Sequence, residues 1–311
     1  MGANAERKVV LVTRQTRLEE LVSRFHTRAQ AKFYVEHLGA DFGDYEQEHA
    51  AYAAAKSEVL RVLQGHGRYQ LIDRGFLPNF VFARDDIVVA LGQDGLVANT
   101  MKYLDGQPLI GVNPEPARYD GILLPYEPRA AATAIADVAR DRHAAREITM
   151  AKATLTDGQT LYAVNDLFIG PRTHTSARYE IRLGERCEVQ SSSGLIVSTG
   201  LGSTAWMKSI VTGAMQIAHS LHPGLRTDAY EPVPWDADTL TFAVREPFPS
   251  KTSAANLVFG HIRPAHPVHL ASLMPEHGVI FSDGIEADYL EFNAGTLATI
   301  EVAERKGILV A

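Results

Sequence analysis

The segment Gly92-Gln93-Asp94-Gly95 combines residue types that suit contact with phosphate groups. The mostly apolar residues from Asp86 to Leu91 predict a buried strand before it, and the residues after it predict a helix. Ligands of open α/β sheets bind beyond the carboxyl ends of strands, where glycines let the backbone approach phosphates and N–H groups hold them. Asp94 would there accept a proton from a hydroxyl or help to hold magnesium. The alternative is a plain turn in which Asp94 caps the helix.

Two further motifs could bind a nucleotide. Asn165-Asp166 follows a predicted strand, and an amide beside a carboxylate can read an adenine edge and ribose hydroxyls together, although an ordinary Asx turn has the same sequence. The second motif links the strand Leu195–Ser198 to a helix predicted from Thr204 to Leu221. Its glycines, hydroxyls and aromatic ring could hold an anion or a base, or they could form only a capped helix with a buried Trp. Its residues are Gly200, Leu201, Gly202, Ser203, Thr204, Ala205 and Trp206.

The elements that must position these motifs change in character near residue 128. Before it, strands alternate with helices, which predicts an α/β domain with a mainly parallel sheet. One helix is expected to begin after Thr16, which has capping-box spacing with Glu19, and to end at Gly39. Beyond residue 128, a helix at 130–145 is followed by short strands and turn signals, which predicts an all-β, sandwich-like domain. Cys187 is expected to face its core.

Composition narrows the class of protein. The chain has 311 residues, with 30 basic and 37 acidic side chains and a net charge of −7, which argues against a nucleic-acid backbone as the main partner. The single cysteine allows neither an internal disulfide nor a thiolate zinc cluster. No apolar run is long enough for a transmembrane helix, so we expect a soluble, cytoplasmic protein with no membrane partner. Walker A and Rossmann glycine patterns are missing, which disfavours those nucleotide folds.

In this order and spacing the motifs resemble the NAD kinase family over nearly the whole chain. The similarity extends to the mitochondrial-type branch of that family through Ser192-Ser193-Gly194, Ala205-Trp206, Arg245-Glu246-Pro247 and the segment Glu291–Gly295. The resemblance is carried by the segments Val88–Asn113, Ala163–Asp166 and Gly194–Trp206.

The resemblance implies an NAD kinase-like fold: an α/β domain at residues 1–128 with the tail from about 297–311, and a β-sandwich at 129–296. It also implies transfer of the γ-phosphoryl of ATP, with Mg²⁺, to the 2′-hydroxyl of the adenosine ribose of NAD. Asp94 would then activate that hydroxyl, and Gly92, Gln93 and Gly95 would contact phosphates. The NAD-binding residues would be Asn165, Asp166, Ser203, Thr204, Ala205 and Trp206. No protein metal ligand is assigned, and a homodimer or homotetramer is expected.

Four departures from the family pattern keep alternatives open. Gln93 replaces a glycine, so its side chain could crowd the ATP phosphates or require backbone geometry that Gln tolerates poorly. Leu96 replaces a Thr, Ser193 stands where many members have Asp, and Asp166 is one methylene shorter than the usual Glu. One alternative is therefore a dinucleotide-binding protein with weakened catalysis. Another is a kinase of a lipid or sphingoid hydroxyl, which shares a similar glycine loop.

Overall fold

A computed structural model describes residues 7–224 and 230–311, and the chain divides into two compact units. The first unit comprises Met1–Arg146 and Ile308–Ala311, and the second comprises Glu147–Gly307. The first is built on a parallel sheet with helices, and the second on antiparallel sheets. The predicted fold class is confirmed. Among the described residues, each helix is too short or too polar to cross a lipid bilayer.

The first unit alternates strands and helices as its sequence predicts. Its strands β1, β3 and β4 are buried along their whole length, which is typical of a parallel sheet covered on both faces. Its elements are β1 (Val9–Thr13), α1 (Arg17–Phe25), α2 (Arg28–His37), α3 (Phe42–His66), β2 (Tyr69–Asp73), β3 (Ile87–Leu91), α4 (Asp94–Met101), β4 (Pro108–Val112) and α5 (Ala131–Ala139).

The strand order of this parallel sheet is β2-β1-β3-β4, so the carboxyl ends of β1 and β3 lie side by side. Residues Ile308 and Leu309, near the end of the chain, pair in parallel with β4. Helices α3 and α5 cover the sheet, and their apolar side chains share one core with the strands. This arrangement places the loop after β3 at an edge of the sheet where ligands of α/β folds bind.

Two helix predictions in the first unit are wrong in extent. The single helix expected between Thr16 and Gly39 is two helices, because His26 adopts a left-handed conformation with φ 65° and Thr27 caps the second one. The capping box of Thr16 and Glu19 is present, and Gly39, with φ 77°, follows the end of α2. The helix expected at 130–145 ends at Ala139, and residues from Ala145 onward continue as a strand.

Within its described residues, the second unit contains two antiparallel sheets and one long helix. The elements that lie wholly or mostly within it are β5 (Ala145–Leu155), β6 (Thr160–Ala163), β7 (Asp166–Pro171), β8 (Ala177–Leu183), β9 (Arg186–Ser192), β10 (Leu195–Ser198), α6 (Trp206–Leu221), β11 (Leu240–Val244), β12 (Phe259–Ile262), β13 (Val268–Ser272), β14 (Gly278–Ser282), β15 (Ile285–Glu291) and β16 (Leu297–Val310). The helix predicted from Thr204 begins at Trp206, because residues Gly202–Thr204 form a separate 3₁₀ turn.

The core of the second unit lies between its two sheets. One sheet has the order β12-β11-β10-β7-β14-β15, and the other includes β16, β13, β8 and β9. Tyr179 and Ile181 of β8 point into a common core with Leu195 and Val197 of β10, as the alternation of β8 predicts. Cys187 is exposed, so the prediction that it faces the core is wrong. It pairs with Arg182, and paired residues share a face of the sheet.

The division between the units differs from the predicted domain boundary. The first unit extends to Arg146 rather than residue 128, because α5 packs Ala131, Ala134 and Ile135 into the core of the parallel sheet. The tail that belongs to the first unit is Ile308–Ala311, which is shorter than the segment from about 297. An amphipathic Ala-rich helix does not reveal in sequence which of two cores it covers.

Candidate functional site

The loop after β3 leads directly into α4. Gln93 is the N-cap residue and makes no side-chain cap bond, whereas Asp94 is the first helical residue. The Oδ1 atom of Asp94 accepts a hydrogen bond of 2.7 Å from the backbone N–H of Leu123. The interpretation of Asp94 as a helix cap is therefore wrong. Its carboxylate is instead held at the N-terminus of α4, where the first N–H groups have no partner within the helix and the dipole favours anions.

Gly92 and Gly95 differ in what a side chain at each position would contact. A Cβ on Gly92 would lie 2.8 Å from Cδ2 of Leu96, so a larger residue there would displace the buried Leu96 side chain. A Cβ on Gly95 would meet no atom within 4 Å. Gly95 is exposed, so the space above it is open to a ligand. Gln93 has φ −110° and ψ 167°, which is extended backbone that any residue adopts. The expectation of difficult backbone geometry at Gln93 is thus wrong, and only crowding by its side chain remains.

A buried polar cluster fixes the strand ends beside this loop. Arg14 follows β1, and its guanidinium donates a 2.6 Å hydrogen bond to the carboxylate of Glu48 on α3. The backbone N–H of Arg14 donates to the Tyr52 hydroxyl, which in turn donates to the carbonyl of Leu91 at 3.1 Å. Burial raises the pKa of Tyr52 to about 12, so the phenol keeps its proton and can make both bonds. Helix α3 thereby ties the end of β1 to the last residue of β3.

In the second unit, Asn165 and Asp166 lie where β6 ends and β7 begins. Three consecutive N–H groups, of Val164, Asn165 and Asp166, donate to the carboxylate of Asp283 at 2.6–3.3 Å. The predicted Asx turn is therefore not the main constraint, because a carboxylate distant in sequence holds the segment. Asn165 is half-buried, and Asp166 is buried.

The Asp166 carboxyl has the most unusual environment of the predicted residues. Burial and the nearby charge of Asp283 raise its pKa to about 7, although a hydrogen bond from Ser198 opposes the shift. Among the described residues, its Oδ1 atom finds no hydrogen-bond partner. An orphaned buried oxygen and a pKa near neutrality are both typical of a site that another molecule completes.

The glycines of the 200–206 segment are required by close backbone contacts. A Cβ on Gly200 would lie 1.9 Å from the Pro234 carbonyl oxygen, and one on Gly202 would lie 2.2 Å from the Asn165 carbonyl oxygen. Ser203 is buried, and its hydroxyl donates to Gly200 O at 2.6 Å and accepts from the N–H of Val233. The Ser203 hydroxyl therefore has a structural role, and the predicted contact with NAD would compete with these two hydrogen bonds.

The other three predicted residues of this segment remain accessible. Thr204 and Ala205 are exposed, and Trp206 is half-buried. The Trp206 ring lies parallel to that of Phe168, with centroids 6.1 Å apart, and the Arg245 guanidinium lies 5.7 Å from its centroid. A cavity of about 220 Å³ opens beside them, with Phe281 and Arg172 also in its wall. Aromatic faces with guanidinium groups favour a flat, electron-rich ring or an anion.

The structure brings some functional candidates together and adds others. Asn165, Asp166 and Gly202 meet within the second unit, whereas the Gly92–Gly95 loop belongs to the first. In sequence, Asp283 belongs to an Asp-Gly pair between strands, which indicates a turn but not a contact with residues 164–166. Arg14, Glu48 and Leu123 belong to no local sequence motif that would mark them as parts of a site. Across residues 7–224 and 230–311, no three His, Cys, Asp or Glu side chains are grouped so as to hold a metal ion.

Comparisons with known proteins identify a similar fold, but they identify no sequence family. No family model matches the chain, and no curated protein matches it in sequence. Among solved structures, it is similar to the crystal structure of yeast NADH kinase complexed with NADH, with a TM-score of 0.56 and 12% sequence identity. The match covers 98% of this chain and 84% of that chain. The chain therefore has an NAD kinase-like fold.

Proposed function

We propose that this protein is an NAD kinase, which transfers the γ-phosphoryl of ATP to the 2′-hydroxyl of the adenosine ribose of NAD to form NADP. The observation that carries the proposal is the Asp94 carboxylate, held at the N-terminus of α4 beside the open Gly95 in an NAD kinase-like fold. The unsatisfied Asp166 oxygen and the accessible Thr204 and Ala205 support a dinucleotide site in the second unit.

The proposed chemistry needs positioning and charge rather than a covalent intermediate. Asp94 accepts the proton of the 2′-hydroxyl as its oxygen attacks the γ-phosphorus, and the bond from that phosphorus to the bridging oxygen of ADP breaks. Backbone N–H groups at the start of α4 stabilise the phosphate charge. Asp94 is the single carboxylate of this loop, so a magnesium ion would be held mainly by the ATP phosphates and water, and it would neutralise charge on the phosphates. Asn165 and Asp166 accept hydrogen bonds from adenine and ribose.

The direct test is NADP formation by the purified chain with ATP, NAD and magnesium, detected with an NADP-specific dehydrogenase. The same assay with NADH, polyphosphate and a panel of lipid and sphingoid acceptors identifies the donor and acceptor. We expect NADP or NADPH as product. A phosphorylated lipid without any NADP would contradict the proposal in favour of another hydroxyl kinase.

Gly95→Ala separates a ligand role from a folding role. The new methyl group meets no protein atom, and alanine favours a helix over glycine by as much as about 1 kcal/mol, so we expect the melting temperature to stay level or rise. The kinase rate should fall on the order of tenfold, because the methyl group occupies the space for phosphates. Calorimetric melting and NADP assays measure the two effects. An unchanged rate at saturating and limiting ATP would show that phosphates do not approach Gly95.

The second candidate is a dinucleotide-binding protein with weak catalysis, which the Gln93 side chain and the buried Leu96 favour. Gln93→Gly distinguishes the two. Because the Gln93 backbone is extended, the change removes only the side chain and costs about 0.4–1 kcal/mol through the unfolded chain. For an active kinase we expect a rate within a few-fold of wild type, measured by NADP formation. A gain of several orders of magnitude would instead indicate a loop blocked by Gln93.

Finer assignments also belong to the proposal. Trp206 beside Arg245 supports the mitochondrial-type branch, since both belong to motifs that carry that resemblance. The exposed apolar side chains Ile217 and Leu221 on α6 support contact between copies in a homodimer or homotetramer. Small-molecule nucleotides are the proposed partners.

A further inference from the structure

The turn between β14 and β15 projects a carboxylate into the second unit's candidate site. Asp283 has φ 54°, a left-handed conformation that is uncommon for residues other than glycine. Its Oδ1 accepts from Val164 at 3.1 Å, Asn165 at 2.6 Å and Asp166 at 3.3 Å, and Oδ2 accepts from Val164 at 3.1 Å. Successive N–H groups that converge in this way form an anion-binding concavity. Here the anion is the protein's own Asp283.

The opposite side of the same segment is held by Thr199. Its hydroxyl donates to the Val164 carbonyl at 2.6 Å, and its N–H donates to the Asn165 carbonyl at 2.9 Å. The N–H of Asp283 donates to the Asp166 carbonyl at 2.9 Å. The backbone polar groups of residues 164–166 are therefore all engaged by Thr199 and Asp283. The directions of the Asn165 and Asp166 side chains depend on these two residues.

Asp283 also affects the charge of Asp166. Its negative charge adds to burial in raising the pKa of Asp166, which lies at about 7. Tyr230 is another titratable group that interacts with Asp166, and its own pKa is raised by burial and by the Asp166 charge. Ser198 on β10 donates a hydrogen bond to the carboxylate. Asp166 thus changes its charge near neutral pH, under the influence of Asp283.

We propose that Asp283 is a positioning residue for dinucleotide binding, which orients Asn165 and Asp166 and makes the affinity for NAD depend on pH. The inference rests on the proposed function, because it takes Asn165 and Asp166 as ligand contacts. Asp283 itself touches no substrate. The ionised Asp166 accepts hydrogen bonds from ribose hydroxyls, so affinity rises as pH increases through about 7.

Calorimetric titration with NAD, at pH values on both sides of 7, tests this with Asp283→Asn. Asparagine keeps one acceptor but places N–H donors where Oδ2 faces Val164. We expect affinity at high pH to fall on the order of tenfold and the midpoint of the pH dependence to move to lower pH, because a negative charge is removed. Asp157→Asn is the matched control, since Asp157 lies in another Asp-Gly turn and bonds to Gln159.

Carbon NMR of the carboxyl groups of labelled aspartates tests the influence of Asp283 on Asp166 without any need for NAD binding. The Asp166 signal, assigned through Asp166→Asn, should titrate near pH 7 in wild type and at lower pH in Asp283→Asn. Identical midpoints in the two proteins would overturn the inference, even if both bind NAD. Failure of wild type to bind NAD at every pH would instead contradict the proposed function, and the NMR comparison would still decide the influence of Asp283 on Asp166.

Discussion

Asp94→Asn is expected to reduce the rate of NADP formation about 10²–10⁴-fold, the usual contribution of a general base. Asparagine retains an oxygen that can accept from the Leu123 N–H, so the loop should keep its geometry. The amide cannot accept the hydroxyl proton at neutral pH, and this isolates the chemical role. Initial rates at saturating ATP and NAD measure the loss, which should lie in kcat rather than in the KM for NAD.

Asp105→Asn is the control for this prediction. Asp105 is exposed, lies beyond the other end of α4 and is not assigned to the site, so its variant should match wild type in rate and stability. Calorimetry should also show that Asp94→Asn binds NAD as wild type does. An Asp94→Asn protein that melts normally and retains most of the wild-type rate would remove Asp94 from the mechanism.

Glu48→Gln is expected to destabilise the first unit by about 3–5 kcal/mol, because it leaves the Arg14 charge buried without a counter-charge. Arg14 and Glu48 are only 9% and 2% exposed, and water cannot replace the lost carboxylate. The ends of β1 and β3 should loosen, since Arg14 also contacts Tyr52, which reaches Leu91. Chemical denaturation followed by circular dichroism measures the free energy of unfolding, and the kinase assay shows whether the loop after β3 suffers.

Glu46→Gln provides a control two residues away on the same helix. Glu46 pairs with Arg28, and both side chains are exposed at 41% and 65%. Exposed pairs contribute about 0–1 kcal/mol, so this variant should unfold nearly as wild type does. Equal destabilisation by the two substitutions would show that burial of the Arg14–Glu48 pair does not determine its contribution.

Local patterns were sufficient for much of the fold. The apolar run from Asp86 to Leu91 gave β3, and the Thr16–Glu19 spacing gave the start of α1. The break at His26 was missed because a histidine in a left-handed conformation has no distinctive sequence signal. The extent of the first unit was missed for another reason. The apolar face of α5 fits any core, and only tertiary packing selects one.

The candidate site likewise has parts that the sequence predicts and parts that it does not. The Gly92–Gly95 loop and Asn165-Asp166 were identified because their chemistry is concentrated in a few consecutive residues. Their supports come from elsewhere in the chain: Leu123 bonds to Asp94 across 29 positions, and Asp283 reaches Asn165 across 118. Hydrogen bonds between residues so far apart in the chain produce no periodic pattern in the sequence. The conformation of Gln93 likewise required the structure, since a glycine position in a motif does not show whether φ is positive.

The pairing of Ile308 and Leu309 with β4 has a consequence for how the protein is made on the ribosome. When β4 first emerges, its neighbour on one side does not yet exist, so a buried apolar strand has an unpaired edge. At about 5–20 residues per second, synthesis of the chain between Val112 and Ile308 takes roughly 10–40 s. During that interval the nascent first unit presents an edge that can pair with other chains. We therefore expect the yield of natively folded protein to depend on chaperones that hold unfolded chains. This dependence should be stronger than the stability of the folded protein would indicate.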